Sequence, residues 1–194
     1  MAASTRPSRP ALRERWDRRR GSVVAGAARV FAERGYAETS VAELAEQLGL
    51  ATGALYHYFR GKEELLIAIC DELTEPLLEA GRELPPQGSP EQRLRELVRL
   101  WVVHVAAHRD HLLVFTQVRH IVDAGGAEWS GVRAARKDFE GLIGSALADC
   151  GVADPDLRRL ALLGMVNHLP QWYRPRGRLS PEQIADGWAD LVLA

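Results

Sequence analysis

Apolar residues recur at three- and four-residue spacing along almost the whole chain, and nowhere do they alternate convincingly with polar ones. This periodicity predicts an all-α protein of about nine helices. Val23, Ala27, Val30 and Phe31 share one stripe, which predicts a first helix over 13–34, ended by Gly35. Val41, Leu44, Ala45 and Leu48 form a short second stripe. Ser40 followed three residues later by Glu43 opens it as a capping box. Gly49 suits a positive φ and a sharp turn, after which Ala54, Leu55, Tyr58 and Phe59 resume a helical face. Helix, tight turn and second short helix is the helix-turn-helix arrangement, whose second helix enters the major groove of DNA.

A long helix is predicted from Lys62 to about Leu84 through Leu65, Leu66, Ile69 and Leu73, with a kink where Pro76 removes a backbone donor. Pro85-Pro86-Gln87-Gly88 breaks the chain, and Ser89-Pro90-Glu91-Gln92 is a strong helix start. That helix should reach about His108. A strongly apolar segment over 110–122 follows, then a helix over 128–150 closed by Gly151. Asp154-Pro155 opens the next, which runs to about Tyr173, and Arg174-Pro175-Arg176-Gly177 is a turn. Ser180-Pro181-Glu182-Gln183 repeats the capping signature before a last helix.

Composition narrows the class. At 194 residues with 46% hydrophobic and 26% charged residues, the chain is long enough for a sizeable core and is of ordinary globular make-up. No run of eighteen apolar residues exists and no secretory signal is evident. Cys70 and Cys150 are too few for a disulfide framework, so a cytoplasmic location is expected. The net charge of −1 conceals an asymmetry. Residues 1–62 hold eleven Arg and Lys against six Asp and Glu, a net +5, and the remainder is net −6. A basic head on an acidic body suits a two-part DNA regulator. Residues 1–12, with Arg6 and Arg9 among Ser and Pro, predict a mobile basic arm.

The stretch from Arg29 to Leu66 resembles the DNA-binding domain of the tetracycline-repressor-like family of bacterial transcription regulators. Phe31-Ala32-Glu33-Arg34-Gly35-Tyr36, Thr39-Ser40-Val41, Leu44-Ala45, Leu48-Gly49, Gly53 to Phe59 and Lys62-Glu63 fall in family order and spacing. The resemblance implies a three-helix head over 13–62 and a helical ligand-binding and dimerisation body over 63–194. It also implies that Thr52, Gly53 and Ala54 open the recognition helix, with Tyr56 and His57 on its exposed side. Thr39 and Ser40 are expected to hold phosphates, and Lys62 to add a cation there. Ala51 and Ala54 stand where hydroxyl residues are frequent in the family, so base readout should lean on Thr52 and on methyl contacts to thymine. Leu55, Tyr58 and Phe59 read as core. One head is small, so a homodimer on palindromic operator DNA is expected.

In the body, the segment from Gly164 to Glu182 is similar to that of the branch responding to acyl-CoA thioesters. Its core is Trp172-Tyr173-Arg174-Pro175, then Gly177-Arg178-Leu179-Ser180. Such an effector needs an apolar tunnel and cations for its phosphates. Trp101, Val105, Leu112, Phe115 and Trp172 are the candidate walls, and Arg119, His168, Arg174 and Arg176 the candidate polar partners. Leu160, Leu163, Gly164, Asn167, Ile184, Trp188 and Leu191 lie on stripes suited to a four-helix bundle between two chains. In a single chain the same stripes would serve as core.

Rival readings are weaker. His104, His108 and His111 fall at spacings of four and then three that put three imidazoles on one helical face, a candidate zinc or nickel site. No Glu follows His104 as a metalloprotease helix needs, so no metal or other cofactor is assigned. With no phosphate-binding glycine loop, no Gly-x-Ser-x-Gly elbow and no plausible triad, an enzyme is not expected. A purely architectural DNA-binding protein would have no need of a cavity.

Overall fold

The structure, a computed structural model, describes residues 10–85 and 88–194. Residues 1–9 of the expected arm, and Pro86 and Gln87 of the expected break, lie outside the described residues. Nine α-helices are present among the described residues, with no strand. They are α1 (Pro10–Arg34), α2 (Val41–Gln47), α3 (Thr52–Leu55), α4 (Lys62–Glu83), α5 (Pro90–Ala107), α6 (Arg109–Ala124), α7 (Ser130–Asp149), α8 (Pro155–Trp172) and α9 (Pro181–Leu193). A single 3-10 turn, Ala127–Trp129, precedes α7 where the apolar pattern suggested one helix from Glu128. The first helix starts at Pro10, three residues before the expected Arg13, so the last three residues of the expected arm are helical. Proline is well tolerated in a first turn. Among the described residues no helix is long and apolar enough to cross a membrane.

Local chemistry sets most helix starts. Ser40, Ser89 and Ser180 each accept from the backbone N–H three residues on, while the side chain of Glu43, Gln92 or Gln183 accepts from the serine's own N–H. Each reciprocal cap satisfies two donors that a helix start leaves bare. After α2, Gly49 at φ 64 lets its N–H reach Glu46 O at 3.0 Å and Leu50 N–H reach Ala45 O at 2.9 Å. That pair of bonds is a Schellman stop, and the αL residue it needs is the glycine.

The helices bury one contiguous apolar cluster running from Val23 to Val192. In the head α1 packs on α2 and α4, and Phe31, Leu44, Leu55 and Phe59 are fully buried. In the body α5 is central, touching α4, α6, α7, α8 and α9, and Arg95–Asp190 (2.7 Å) and Arg99–Asp186 (2.8 Å) tie it to α9. Head meets body where α1 packs on α6 and where α4 continues from one into the other.

α4 runs through Pro76, which leaves a carbonyl one turn back without its helical donor. His104 on α5 stands beside that turn, its Nε2 2.9 Å from Leu73 O, the carbonyl next to the Glu72 O that Pro76 leaves bare. Burial, together with His108 beside it, pushes the His104 imidazole down to about 4, so it is neutral at pH 7. An imidazole whose pKa is depressed in the folded state supports the fold above the unfolded value, and that support is lost as pH falls. Stability should therefore decline from about pH 6.5 to about pH 4. Asp71, raised to about 6 chiefly by burial, titrates in the same window with the opposite sign. His104→Leu should thus lower the melting temperature at pH 7, and it should also shrink the gap between pH 7 and pH 4 relative to wild type. A gap unchanged by the substitution would show that His104 does not carry this dependence.

Candidate functional site

The outer surface of α3 is open to solvent. Thr52, Gly53, Tyr56 and His57 are exposed and Ala54 is half-buried, while Leu55 and Phe59 on the opposite side are fully buried. The helix is four residues long and begins at Ala51, whose side chain makes no cap. Leu55 and Phe59 hold α3 through burial, and the Schellman stop fixes its approach to α2. Ser40 is exposed at the start of α2, next to this surface in sequence and still engaged in its cap.

Two of the expected phosphate ligands are otherwise occupied. Thr39 is only 2% exposed and its hydroxyl donates to Gly35 O at 2.8 Å. Lys62 is half-buried, and its Nζ donates to Tyr36 O at 2.7 Å and Thr39 O at 2.9 Å, with the Tyr36 ring centroid 4.3 Å away. Both residues lock the loop between α1 and α2. A short loop folding back on α4 engages these groups, which their own stretch of sequence leaves looking free. Lys62→Met should accordingly cost ~1–3 kcal/mol of stability, the cost of leaving buried carbonyls unpaired. A phosphate ligand would instead lower the slope of log K against log salt by about 1 on removal. Thermal unfolding beside a salt series of DNA binding separates the two, and an unchanged slope is expected.

The body holds a partly open apolar pocket between α4, α5, α6, α7 and α8. Trp101, Val105, Leu112, Phe115 and Arg119 all line it. Leu163 and Asn167, assigned to a subunit contact, line it too. Sequence reasoning missed Thr74, Leu77, Arg136, Phe139 and Glu140, which come from α4 and α7. Helical spacing gave no sign that those faces converge. His168 sits in an adjoining open cleft that shares Phe115, Arg119 and Asn167 with the cavity. Trp172 and Arg174 do not reach it: they border a separate groove with Arg178. Trp172 is 44% exposed and stacks edge-on with Trp188 at 6.3 Å, and Arg176 is exposed on the following loop. Trp172 therefore forms no part of the cavity wall, because α8 turns that end outward.

The remaining candidates divide clearly. Leu160 and Leu191 are 54% and 67% exposed, Gly164 is exposed, and Trp188 is half-buried. Ile184 is buried in the chain's own core, because that face of α9 packs on α5, so it presents nothing outward. The three histidines lie ring against ring, His104 stacked on His108 at 4.3 Å and His108 edge-on to His111 at 5.4 Å. α5 ends at Ala107 and His108 takes a non-helical conformation between α5 and α6. Among the described residues no group of three or more His, Cys, Asp and Glu is placed to hold a metal. The Cys70 thiol is pushed up to about 12, chiefly by burial, and is no nucleophile.

Residues 23–69 match the model for bacterial regulatory proteins of the tetR family, and residues 87–194 match that for the tetracyclin repressor-like C-terminal domain. The second match alone covers more than half of the chain. The chain belongs to the tetracycline-repressor family. Among its relatives is the transcriptional repressor KstR2 of Mycolicibacterium smegmatis, 28% identical over 203 residues that cover 100% of this chain and 94% of the relative. The solved KstR2 of Mycobacterium tuberculosis shares the fold, with a TM-score of 0.80 at 24% identity over 90% of this chain and 93% of that one. The regulator AibR, solved with isovaleryl coenzyme A and operator DNA, gives a TM-score of 0.72 at 27% identity over 89% of this chain and 97% of that one. Membership places the chain among helix-turn-helix transcription regulators. It also gives the tetR fold its two parts here, a DNA-binding N-terminal domain and a C-terminal ligand-binding domain.

Proposed function

We propose that this protein is a repressor that binds palindromic operator DNA as a homodimer in the cytoplasm and is released by a small hydrophobic effector. The head would comprise residues 13–62 and the body residues 63–194. In this reading Thr52, Gly53, Ala54, Tyr56 and His57 face the DNA, and Ser40 holds a phosphate through whatever its cap leaves free. The observation that carries the reading is the pairing of an exposed α3 face with an apolar cavity bounded by α4. A cavity has no purpose in a purely architectural DNA-binding protein.

The effector is proposed to be an acyl-CoA thioester. AibR, solved with isovaleryl coenzyme A, supports this class, as does the cavity's composition. The acyl part would lie against Leu77, Trp101, Val105 and Phe139, with Arg119 and His168 at the open side nearest the phosphates. Leu160, Gly164, Trp188 and Leu191 would meet a second copy of the chain. Ligand would favour a conformation in which α4 carries the two heads away from the ~34–36 Å separation of successive major grooves. Release requires tighter binding to that conformation by ~1–3 kcal/mol.

Fluorescence anisotropy with labelled DNA from upstream of the protein's own gene tests the DNA half of the proposal. Thr52→Ala and Tyr56→Ala should each weaken specific binding by roughly tenfold, since a good base or phosphate contact contributes about 1–3 kcal/mol. Unchanged binding in both variants would remove α3 as the reading helix.

A further inference from the structure

Arg136 lies in the wall of the cavity and is not satisfied there. Its Nη2 pairs with Asp123 at 3.1 Å. Its Nε is 3.8 Å from Glu140 Oε1, beyond hydrogen-bond reach, while Glu140 Oε2 accepts from Arg159 Nη1 at 3.1 Å. Nε and Nη1 are both buried with no hydrogen-bond partner, and no other described side chain has such an atom. A guanidinium stays protonated and cannot rid itself of these donors. Leaving them bare is costly, so their natural complement is an acceptor brought in by whatever fills the cavity. The Phe115 ring, its centroid 6.0 Å from the guanidinium carbon, bounds the same space.

We infer that Arg136 is a specificity-determining residue, and that the effector carries an uncharged oxygen acceptor, a carbonyl, on the part that enters the cavity. This rests on the reading of the cavity as the effector site. A plain hydrocarbon chain would fill the volume and leave the guanidinium unpaired. A carboxylate is disfavoured by the local charge. Arg119, Arg136 and Arg159 are already matched by Asp123, Glu140 and Asp156 through contacts of 3.1–3.8 Å. With no surplus cation, a neutral acceptor meets the donors without stranding a charge.

Three eight-carbon probes differing only at one end decide the matter: 2-octanone, octanoate and 1-octene, titrated calorimetrically into wild type, Arg136→Met and Arg136→Lys. Wild type should bind 2-octanone roughly tenfold or more tightly than Arg136→Met does, the usual scale of a charge-assisted hydrogen bond. 1-Octene should bind both alike. Arg136→Lys, which keeps the charge opposite Asp123, should fold and show the same loss of ketone preference should Arg136→Met prove unstable. A 2-octanone preference over 1-octene that is the same in wild type and both variants overturns the inference while leaving the cavity as a ligand site. Octanoate binding wild type more tightly than 2-octanone overturns the neutral acceptor. Wild type binding none of the three would remove the effector cavity and the inference together.

Discussion

Combined replacement of Leu160 and Leu191 by glutamate should turn the proposed dimer into a monomer and weaken operator binding on the order of 100-fold or more, the usual scale for losing a linked second site. Both side chains are largely exposed in the single chain, so the substitutions should leave its fold intact. Dimerisation would bury them, and a buried unpaired carboxylate is strongly unfavourable. Sedimentation velocity reads the assembly state, and anisotropy reads the affinity. Circular dichroism matching wild type would show the fold is retained. A double variant that remains dimeric would move the subunit contact away from this face of α8 and α9. Ile184 is unsuitable for the same test, because its burial in the chain's own core means a charge there would unfold the protomer.

The largest stability effect is expected at Trp129. Its side chain is fully buried, and its indole N–H donates to Glu63 Oε1 at 3.3 Å. It thereby ties the turn before α7 to the first residues of α4, which carry the head. Gly125 makes room for it: a Cβ there would come within 2.2 Å of the indole ring. Trp129→Ala should cost ~3–5 kcal/mol, the range for emptying a large aromatic site. For a chain of this size that is a fall in melting temperature of roughly 6–20 °C. Trp129→Phe, which fills most of the volume but lacks the donor, should recover the larger share. A variant within about 1 °C of wild type would mean the surroundings collapse around the gap.

What sequence could show depended on how local the cause was. The reciprocal caps at Ser40, Ser89 and Ser180, and the stop at Gly49, are written within six residues of chain and were all legible. The inward turn of Trp101, Val105, Leu112 and Phe115 was legible as well, because apolar faces at helical spacing must turn inward. Tertiary partners were not. Lys62 reaches carbonyls more than twenty residues away, and nothing in its own stretch says so. Arg136 reads as one charge among many on an amphipathic helix until its buried, partnerless nitrogens are seen. Leu163 and Asn167 lie on the same helix as the exposed Leu160, so one stripe served both cavity and surface. The histidine spacing did bring the three rings together, but their nitrogens turn to other partners, His104 to Leu73 O, His108 to His104 O and His111 to Glu72.

The most direct test of the central claim is operator anisotropy on wild-type protein during titration with acyl-CoAs of several chain lengths, with free CoA and zinc as controls. Release by one acyl class and not by free CoA or zinc is the predicted result. A protein that holds its operator equally tightly at saturating concentrations of every acyl-CoA, with those ligands shown to bind, would contradict ligand-driven release.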